Sequence, residues 1–579
     1  MADQQTDQAK LHPLSRFFRL LSVDKKDITN IYIYAIVNGI VILSLPLGIQ
    51  AIINFITGGL ISTSWLVLVI FVIGGLVFSG MLQVTQLAIT ERLQQRIFTR
   101  ASFEFAYRIP RIRLEAVDRY YLPELVNRFF DTLSVQKGLS KILIDFSTAS
   151  LQILFGLVLL SFYHPLFIAF GLLLIAIVYI IFRVTGPKGL ETSIQESKYK
   201  YEVAHWLEEV ARLMGTFKLA GDTDFTLQRT DSLVSKYIDA RKKHFRVLIT
   251  QYFNMIAFKV LVAAGLLIMG SLLVIDQQIN LGQFVAAEII IILVLSSVEK
   301  LILSMETVYD VLTSLEKMGY VTDLPLESQG TMDFKQVDTG AGMKIVVSNL
   351  TFRYPESVMP TLKNISLRIE SGDRVCLSGF AGSGKSTLIQ TIAGLYQEYE
   401  GIITYNDVPI GNLRLDSLRE LMGDSLHQEK IFKGTLLENI TLGRPNIGLK
   451  EVQEAIKHSR LEEFIKNLRK GLNSELDAGG QNISESVITK IILARSIASR
   501  PRLLLITDHF GVLEPHECEG IMDFLVDPAN PWTLVIVSNH AGIASRCKRI
   551  VLMKNGEIIE DAPFKELNNS GVFQHLINL

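Results

Sequence analysis

Six long apolar stretches alternate with polar segments along the first half of the chain. They lie at about 28–55, 65–88, 142–162, 166–185, 254–275 and 283–304. A helix needs about 20 apolar residues to cross the roughly 30 Å hydrocarbon core of a bilayer, and each stretch has about that length. The pattern therefore predicts six membrane-spanning helices.

The connections between these stretches are of two kinds. Short segments at 57–64, 163–165 and 276–282 predict tight external hairpins between stretches one and two, three and four, and five and six. The connections after stretches two and four are long, helically periodic and rich in Arg and Lys, which predicts that they and both chain termini are cytoplasmic. Because the periodicity continues past stretches two and four, we expect these helices to extend into the cytoplasm and to end in turns that can dock on another domain.

The segments that flank the apolar half have different patterns. Residues 11–21 are apolar on one side and basic on the other, which fits either a helix on the inner membrane face or a plain lead-in to stretch one. From about residue 343, strands alternate with helices. We therefore expect a cytoplasmic N-terminal segment over 1–27, a six-helix domain with cytoplasmic extensions over 28–320, a linker over 321–342 and a soluble α/β domain over 343–579.

Composition narrows the class of protein. A mean hydropathy of +0.32 with 20% charged residues is too apolar for a wholly soluble enzyme of 579 residues. The formal net charge of −1 provides no global basic surface, so nucleic acid is not expected as a partner. The chain has 3 cysteines, Cys376, Cys518 and Cys547, whose wide spacing excludes a disulfide framework and favours a reducing cytoplasm for this half.

The soluble half carries a complete phosphate-binding loop. Residues 379–387 read GFAGSGKST, with a strand pattern before them and a helix pattern after them, so backbone N–H groups can wrap phosphates at a helix N-terminus. We expect Lys385 to reach the β- and γ-phosphates of a nucleotide and the Ser386 hydroxyl to hold Mg²⁺. The other loop residues expected at the phosphates are Gly379, Phe380, Ala381, Gly382, Ser383, Gly384 and Thr387.

These features together resemble an ABC exporter half-transporter, and the resemblance covers nearly the whole chain. Local matches lie at 350–355 (LTFRYP), 432–440, 491–496 and 501–506 (PRLLLI), while 44–50 and 279–286 look most like exporters of the type I secretion and bacteriocin group. The resemblance implies a membrane all-α six-helix domain followed by a cytoplasmic α/β nucleotide-binding domain. It also implies that Tyr354 stacks on adenine.

The resemblance further implies an ATPase site built by two nucleotide domains, in which the phosphate loop of one faces an LSGGQ signature of the other. Here the signature reads ISESV at 483–487, so Ser484 is kept and Glu485 replaces a glycine near the partner's γ-phosphate. Like charges about 4 Å apart repel by about 4 kcal/mol at an effective dielectric of about 20, which disfavours tight closure on ATP unless the loop shifts. The glutamine that meets the metal falls on His427, with Gln428 one place later.

The catalytic carboxylate and the switch histidine are also altered. In the favoured alignment the metal-binding aspartate becomes Thr507 and the catalytic glutamate becomes Asp508, whereas a shift of one residue makes Asp508 the metal ligand and puts His509 at the base position. The switch histidine falls on Asn539, with His540 one place later. Because Asp is one methylene shorter than Glu and Asn cannot shuttle a proton near neutral pH, we expect weak or partner-dependent hydrolysis.

Two charges stand out inside the predicted membrane stretches. Lys259 and Glu288 lie in stretches five and six, where a charge is costly unless it is paired or hydrated. We expect them to pair with each other, either as part of a translocation path or as a structural pair. Glu299 and Lys300 are expected to be solvated near the cytoplasmic extension.

Two functions remain open at this point. The first is the ATP-binding subunit of an exporter of the inner membrane, in which ATP and Mg²⁺ close a homodimer, or a heterodimer with another half-transporter. The helical extensions then carry that closure to a cavity between the membrane halves, where a substrate is translocated. The second is a catalytically silent, nucleotide-gated regulatory or partner subunit. The type I secretion resemblance further implies a periplasmic adaptor and an outer-membrane channel as partners.

Overall fold

The computed structural model of the protein describes residues 12–58, 63–118, 122–426, 431–567 and 573. The chain divides into two compact units. The first consists of residues 1–110 and 120–324, and the second of residues 111–119 and 325–579. The second unit therefore includes a short segment from the helical half of the chain.

The first half of the chain is helical throughout its regular elements. Its α-helices are α1 (Pro13–Val23), α2 (Lys25–Ile42), α3 (Ser44–Thr57), α4 (Thr63–Arg108), α5 (Leu114–Val117), α6 (Leu122–Asn127), α7 (Asp131–Lys141), α8 (Ser147–Ser161), α9 (Pro165–Arg212), α10 (Met214–Leu219), α11 (Phe225–Ile275) and α12 (Leu281–Thr322). A π-helical turn at Ile142–Phe146 joins α7 to α8.

The predicted six membrane spans are confirmed. The described residues contain 6 helical segments that are long and apolar enough to cross a bilayer. The first span differs from the prediction because it is broken at Leu43 into α2 and α3. Pro46 explains the break, since a proline has no N–H to donate and its ring clashes with the carbonyl four residues earlier, that of Ile42.

Four of the described helices extend well beyond the thickness of a bilayer. Helices α4, α9, α11 and α12 contain 46, 48, 51 and 42 residues. At 1.5 Å per residue they are about 63 to 77 Å long, more than twice the roughly 30 Å of hydrocarbon. The expected extensions of stretches two and four are therefore present as continuous helices, and α11 has a similar extension at its N-terminal end.

Helix α1 is held against the C-terminal end of α12 by a buried arginine. The guanidinium of Arg16 pairs with Asp323, and its Nε lies 3.6 Å from Glu316 Oε2. On the other side of α1, Leu14 and Phe18 are exposed, with Phe18 at 63%. The predicted two-sided helix is present, but Arg16 forms an internal ion pair and does not belong to a basic outer face.

The expected pair between Lys259 and Glu288 is wrong. Lys259 Nζ instead donates to Glu299 Oε2 at 2.6 Å, so Glu299 is a partner in an ion pair, although it was expected to be solvated. Counting along the hairpin explains this result: Lys259 lies about 24 Å from the end of α11, whereas Glu299 and Glu288 lie about 27 and 10 Å from the start of α12. In two antiparallel helices with a short connection, only Glu299 is level with Lys259.

Neutralising one member of this pair is expected to destabilise the membrane unit. Both side chains are only about one-third exposed, at 33% and 35%. Lys259→Met or Glu299→Gln should each lower the free energy of unfolding by about 1–3 kcal/mol, because each leaves an uncompensated charge. The double variant should cost less than the sum of the two, which thermal unfolding in detergent would measure. Lys300→Met, at the exposed neighbouring position, is the control, and strict additivity would contradict the pairing.

The second unit contains the β-structure. Its strands are β1 (Ile345–Phe352), β2 (Leu362–Ile369), β3 (Arg374–Gly379), β4 (Glu400–Tyr405), β5 (Val408–Pro409), β6 (Met422–Ser425), β7 (Gly434–Thr435), β8 (Glu475–Leu476), β9 (Leu503–Thr507), β10 (Thr533–Val537), β11 (Arg549–Lys554) and β12 (Glu557–Ala562). The longer of its two chain segments, 325–579, also forms the helices α13 (Lys385–Ile392), α14 (Leu415–Glu420), α15 (Leu436–Thr441), α16 (Leu449–His458), α17 (Glu462–Lys466), α18 (Glu485–Ala498), α19 (Pro515–Val526), α20 (Ala541–Ala544) and α21 (Phe564–Leu567).

Two sheets organise this unit. One is an antiparallel sheet of 4 strands in the order β2-β1-β4-β5. The other has 6 strands in the order β12-β11-β3-β10-β9-β6, all parallel except the edge strand β12. Because ligands of open parallel sheets bind beyond the carboxyl ends of the strands, the ends of β3, β9 and β10 are where a site is expected.

The segment expected to be a linker packs into this unit. Phe334 is fully buried among the residues of the antiparallel sheet, and Met332 forms a bridge with Leu413. Helix α12 continues to Thr322, so the connection between the long helix and the second unit is short. The Pro and Gly content of 321–342 therefore marks irregular packed chain and not a free tether.

Candidate nucleotide-binding site

The phosphate loop has the predicted strand–loop–helix setting. Strand β3 ends at Gly379 and α13 begins at Lys385. Gly379 and Gly384 have φ values of 151° and 94°, which only glycine adopts without strain. A hydrogen bond to Cys547, together with burial, raises the pKa of the Cys376 thiol in β3 well above its ordinary value, so this cysteine is structural and unreactive.

Lys385 folds back over the loop. Its ammonium donates to the carbonyl oxygens of Gly379 and Phe380 at 2.6 and 2.8 Å, and to Ser383 Oγ at 3.2 Å. Burial lowers the pKa of Lys385, and a bound anion would raise that pKa again because it favours the charged ammonium. These bonds hold the ammonium where phosphate oxygens would compete for it.

The remaining loop residues are accessible to a ligand or support the loop. Ala381, Gly382 and Ser386 are exposed, and Phe380 is half-buried. Thr387 is buried and its hydroxyl lies 3.0 Å from Tyr354 Oη. The structure thus brings all nine predicted loop residues, 379–387, to the start of α13.

Tyr354 lies beside the loop on an aromatic support. Its ring meets Phe352 edge-on at 5.0 Å and Tyr396 edge-on at 5.7 Å. Burial raises the pKa of Tyr396, whose hydroxyl also bonds Tyr354. This packing orients the Tyr354 ring near the N-terminus of α13, where an adenine attached to loop-bound phosphates can reach it.

Of the two switch candidates, Asn539 contacts the phosphate loop. Its Oδ1 accepts from the Gly379 N–H at 3.1 Å, and its Nδ2 donates to the Gly379 carbonyl at 3.0 Å. The ring of His540 instead lies beside Gly542, 3.2 Å from the position that a Cβ atom added to that glycine would occupy. Sequence reasoning missed Ser378, whose hydroxyl also donates to Asn539 Oδ1 at 3.0 Å.

The carboxylate of Asp508 lies just beyond the end of β9. Its Oδ2 accepts from Ser538 Oγ at 2.5 Å and its Oδ1 accepts from the Phe510 N–H at 3.0 Å. Thr507 is the last residue of β9, and its hydroxyl donates to the Leu426 carbonyl at 3.3 Å. Sequence reasoning missed Ser538, which directly precedes the switch position but meets Asp508 only through the pairing of β9 with β10.

The other two candidate positions stand apart from these contacts. His509 is half-buried, and its Nε2 is a buried atom without a hydrogen-bond partner among the described residues. His427 and Gln428, the two candidates for the metal-binding glutamine, lie outside the described residues. Strand β6 ends at Ser425, two residues before them, next to β9 in the sheet.

The residues predicted to form the signature lie at the N-terminus of α18. Ser484 is its N-cap, with Oγ accepting from the Val487 N–H at 3.4 Å and lying 2.9 Å from the Ser486 hydroxyl. Glu485 is exposed in the first turn of the helix. A carboxylate there interacts favourably with the helix dipole. If this helix start is the signature, the carboxylate also places negative charge near the γ-phosphate bound by the partner's phosphate loop.

A second contact region lies where the turn after α4 packs within the nucleotide unit. The Glu115 side chain is 7% exposed, and its Oε1 accepts the backbone N–H groups of Gln397 and Glu398. Arg113 pairs with Glu398 at 3.1 Å and donates to the Leu326 carbonyl at 3.2 Å. The predicted docking turn after stretch two therefore includes residues 111–118, and it contacts the loop that follows α13.

Comparisons with known proteins agree with this architecture. Residues 28–298 match the model of the ABC transporter transmembrane region, and residues 362–509 match that of the ABC transporter. The chain therefore belongs to the ABC transporter family, with a transmembrane region fused to an ATP-binding domain as in an exporter half-transporter. It is an integral membrane protein whose nucleotide-binding domain is cytoplasmic.

Individual relatives indicate the group within the family. The chain is 26% identical over 477 residues to the transport/processing ATP-binding protein ComA of Streptococcus pneumoniae, covering 79% of this chain and 63% of that protein. It is 28% identical over 299 residues to the alpha-hemolysin translocation ATP-binding protein HlyB of Escherichia coli, covering 52% of this chain and 42% of that protein. The chain thus spans less than two-thirds of the length of both relatives.

A solved structure shares the fold along almost the whole chain. The structure of a bacterial Atm1-family ABC exporter with ATP bound superposes with a TM-score of 0.83 at 18% identity, covering 96% of this chain and 98% of that one. At this identity the likeness concerns the fold alone.

Proposed function

We propose that the protein is the ATP-binding subunit of a membrane exporter, working as a homodimer or as a heterodimer with another half-transporter. The observation that carries the proposal is the intact phosphate loop, with Lys385 poised over it, in the same chain as six membrane-spanning helices. ATP binding would supply the energy for closing two nucleotide domains, because the loop N–H groups and Lys385 recognise its phosphates.

The residues present fit Mg²⁺ with ATP. Ser386 offers an exposed hydroxyl at the N-terminus of α13, and Asp508 offers a carboxylate beyond β9, with Gln428 as a further candidate ligand. Bound Mg²⁺ would neutralise phosphate charge during transfer to water. The chain's own part is to bind the phosphates, orient the nucleotide on Tyr354 and supply Asp508, which would act as the general base in the favoured alignment and as the metal ligand in the shifted one.

The alterations around the loop support slow or partner-dependent hydrolysis. Asp508 already accepts two hydrogen bonds, from Ser538 and from the Phe510 backbone, which fix its shorter side chain. Asn539 has no titratable proton to offer. Because the signature and the carboxylate positions of this chain are both altered, an intact partner would restore only part of each composite site.

The Glu115 contact supports a coupling route from the loop to the membrane helices. Helix α13 starts in the phosphate loop, and the chain after it presents the Gln397 and Glu398 N–H groups to Glu115. Glu115 itself follows α4 in the chain, and α4 runs through the membrane region. A shift of α13 on nucleotide binding would therefore displace Glu115, which follows the C-terminal end of α4.

The test is ATP binding and phosphate release by the full chain in lipid nanodiscs, alone and mixed with a candidate half-transporter. We expect ATP binding by the chain alone and faster phosphate release with a productive partner. ATP binding without hydrolysis, and with no gain from any partner, would contradict an active pump and favour the silent regulatory subunit. The resemblance to the type I secretion group implies a periplasmic adaptor and an outer-membrane channel as further partners, which co-purification from cross-linked membranes would test.

A further inference from the structure

The side chain at the switch position is bound to the phosphate loop of its own chain. Asn539 Oδ1 accepts two hydrogen bonds, from the Gly379 N–H at 3.1 Å and from the Ser378 hydroxyl at 3.0 Å. Its Nδ2 donates to the Gly379 carbonyl at 3.0 Å. The amide therefore pairs with both backbone polar groups of the first residue of the loop.

The strand register produces this contact. Strands β10 and β3 are parallel neighbours in which Val537 lies opposite Leu377. Two residues further along each strand direction, Asn539 lies beside Gly379. Any residue at position 539 would stand near the loop, but few side chains could make the three bonds found here.

Gly379 has an unusual backbone conformation, which hydrogen bonds from neighbouring side chains hold in place. Its φ of 151° is available to glycine, and a Cβ on it would lie 2.2 Å from the Met553 carbonyl oxygen. Its own carbonyl accepts from Lys385 Nζ as well as from Asn539 Nδ2. When Lys385 leaves for a phosphate, Asn539 remains as the donor to that carbonyl.

Only a side-chain amide fits this arrangement. An amide offers an acceptor and a donor side by side, which complement the N–H and the C=O of one residue. A histidine ring has its two nitrogens on diverging bonds and cannot serve both groups, and an aspartate has no donor. The two lone pairs of Oδ1 are used by Gly379 and Ser378, and one of the two N–H groups of Nδ2 is used by the Gly379 carbonyl, so these three bonds fix the plane of the amide on the loop.

We propose that Asn539 is a positioning residue that clasps the phosphate loop of its own chain and does not read the γ-phosphate. This inference rests on the nucleotide binding proposed above. It follows that Asn539 supports ATP and ADP equally, because both nucleotides use the part of the loop that Gly379 begins. A side chain that senses the γ-phosphate would instead favour ATP alone.

The experiment is titration of the full chain in nanodiscs with fluorescent N-methylanthraniloyl ATP and ADP. Asn539→Ala should weaken both nucleotides by the same factor, about tenfold, because three hydrogen bonds at the loop are lost. The unfolding temperature without nucleotide should stay unchanged, which separates positioning of the loop from a general structural role. Asn539→His should also weaken both nucleotides, since the ring cannot rebuild the clasp.

The control is Asn467→Ala, a matched change at an exposed position, which should leave both affinities unchanged. Weaker ATP binding with unchanged ADP binding, or a gain for ATP alone in Asn539→His, would overturn the inference. Unchanged affinities in Asn539→Ala would also overturn it while leaving the proposed function standing. Absence of nucleotide binding by the unaltered chain would overturn both.

Discussion

Replacing Lys385 with alanine is expected to weaken ATP binding by about a hundredfold or more and to abolish ATP-dependent transport. A charge-assisted hydrogen bond contributes about 1.5–3 kcal/mol, and Lys385 is positioned to make one to each of two phosphates. In the absence of nucleotide, its bonds go to the carbonyls of Gly379 and Phe380. Water can replace these bonds at the open loop, so the fold should lose little stability.

Equilibrium titration of the full chain with labelled ATP checks this result. Lys548→Ala removes an exposed lysine elsewhere in the same unit and should leave the affinity unchanged. The unfolding temperature of Lys385→Ala without ATP should stay close to that of the unaltered chain, whereas the rise on adding ATP should disappear. If Lys385→Ala still transports at the rate of the unaltered chain, the result would contradict an ATP-driven role for this chain.

Replacing Glu485 with glycine is expected to raise the rate of ATP hydrolysis about tenfold from a low level. Glu485 is exposed in the first turn of α18. In the predicted alignment with ABC exporters, this position faces a phosphate bound by the partner. Repulsion of about 4 kcal/mol at about 4 Å is an upper figure, because solvent screens an exposed carboxylate. A change of about 1.4 kcal/mol in the barrier already corresponds to tenfold.

A second variant at the same position separates charge from backbone approach. Glu485→Gln removes the charge and keeps the side chain, so it should give most of the gain if repulsion is the cause. A gain only with glycine would indicate that the missing close approach of the backbone matters more. Both variants should slightly destabilise the fold, by about 0.3–1 kcal/mol, since a carboxylate in the first turn of a helix stabilises its N-terminus. Unchanged phosphate release in both would contradict the assignment of this helix start as the signature.

Parts of the structure could be predicted because they depend on short-range rules. The phosphate loop was predicted in its strand–loop–helix setting because its glycine spacing is tied to backbone geometry. The sequence also contains the cause of the break at Leu43, because Pro46 disrupts a continuous helix. The pairing of Lys259 with Glu299 likewise follows from the sequence, since similar distances from the short hairpin place these two residues at the same level.

Other parts of the site had no such signal. Nothing local marks Glu115 as a cap for two backbone N–H groups about 280 residues away in the chain. The contact requires the turn after α4 to pack beside the loop that follows α13. Likewise, Ser538 meets Asp508 only because β9 and β10 are neighbours with aligned ends.

The sequence by itself determined the six membrane-spanning helices, the α/β nucleotide domain and the phosphate loop. These depend on the length of apolar stretches and on glycine positions, which act within a few turns of the chain. The tertiary structure decided what the altered residues do. Strand register placed Asn539 on Gly379, and packing of the turn after α4 placed Glu115 on the Gln397 N–H. Such partners are chosen by the relative placement of whole elements, which no local pattern encodes.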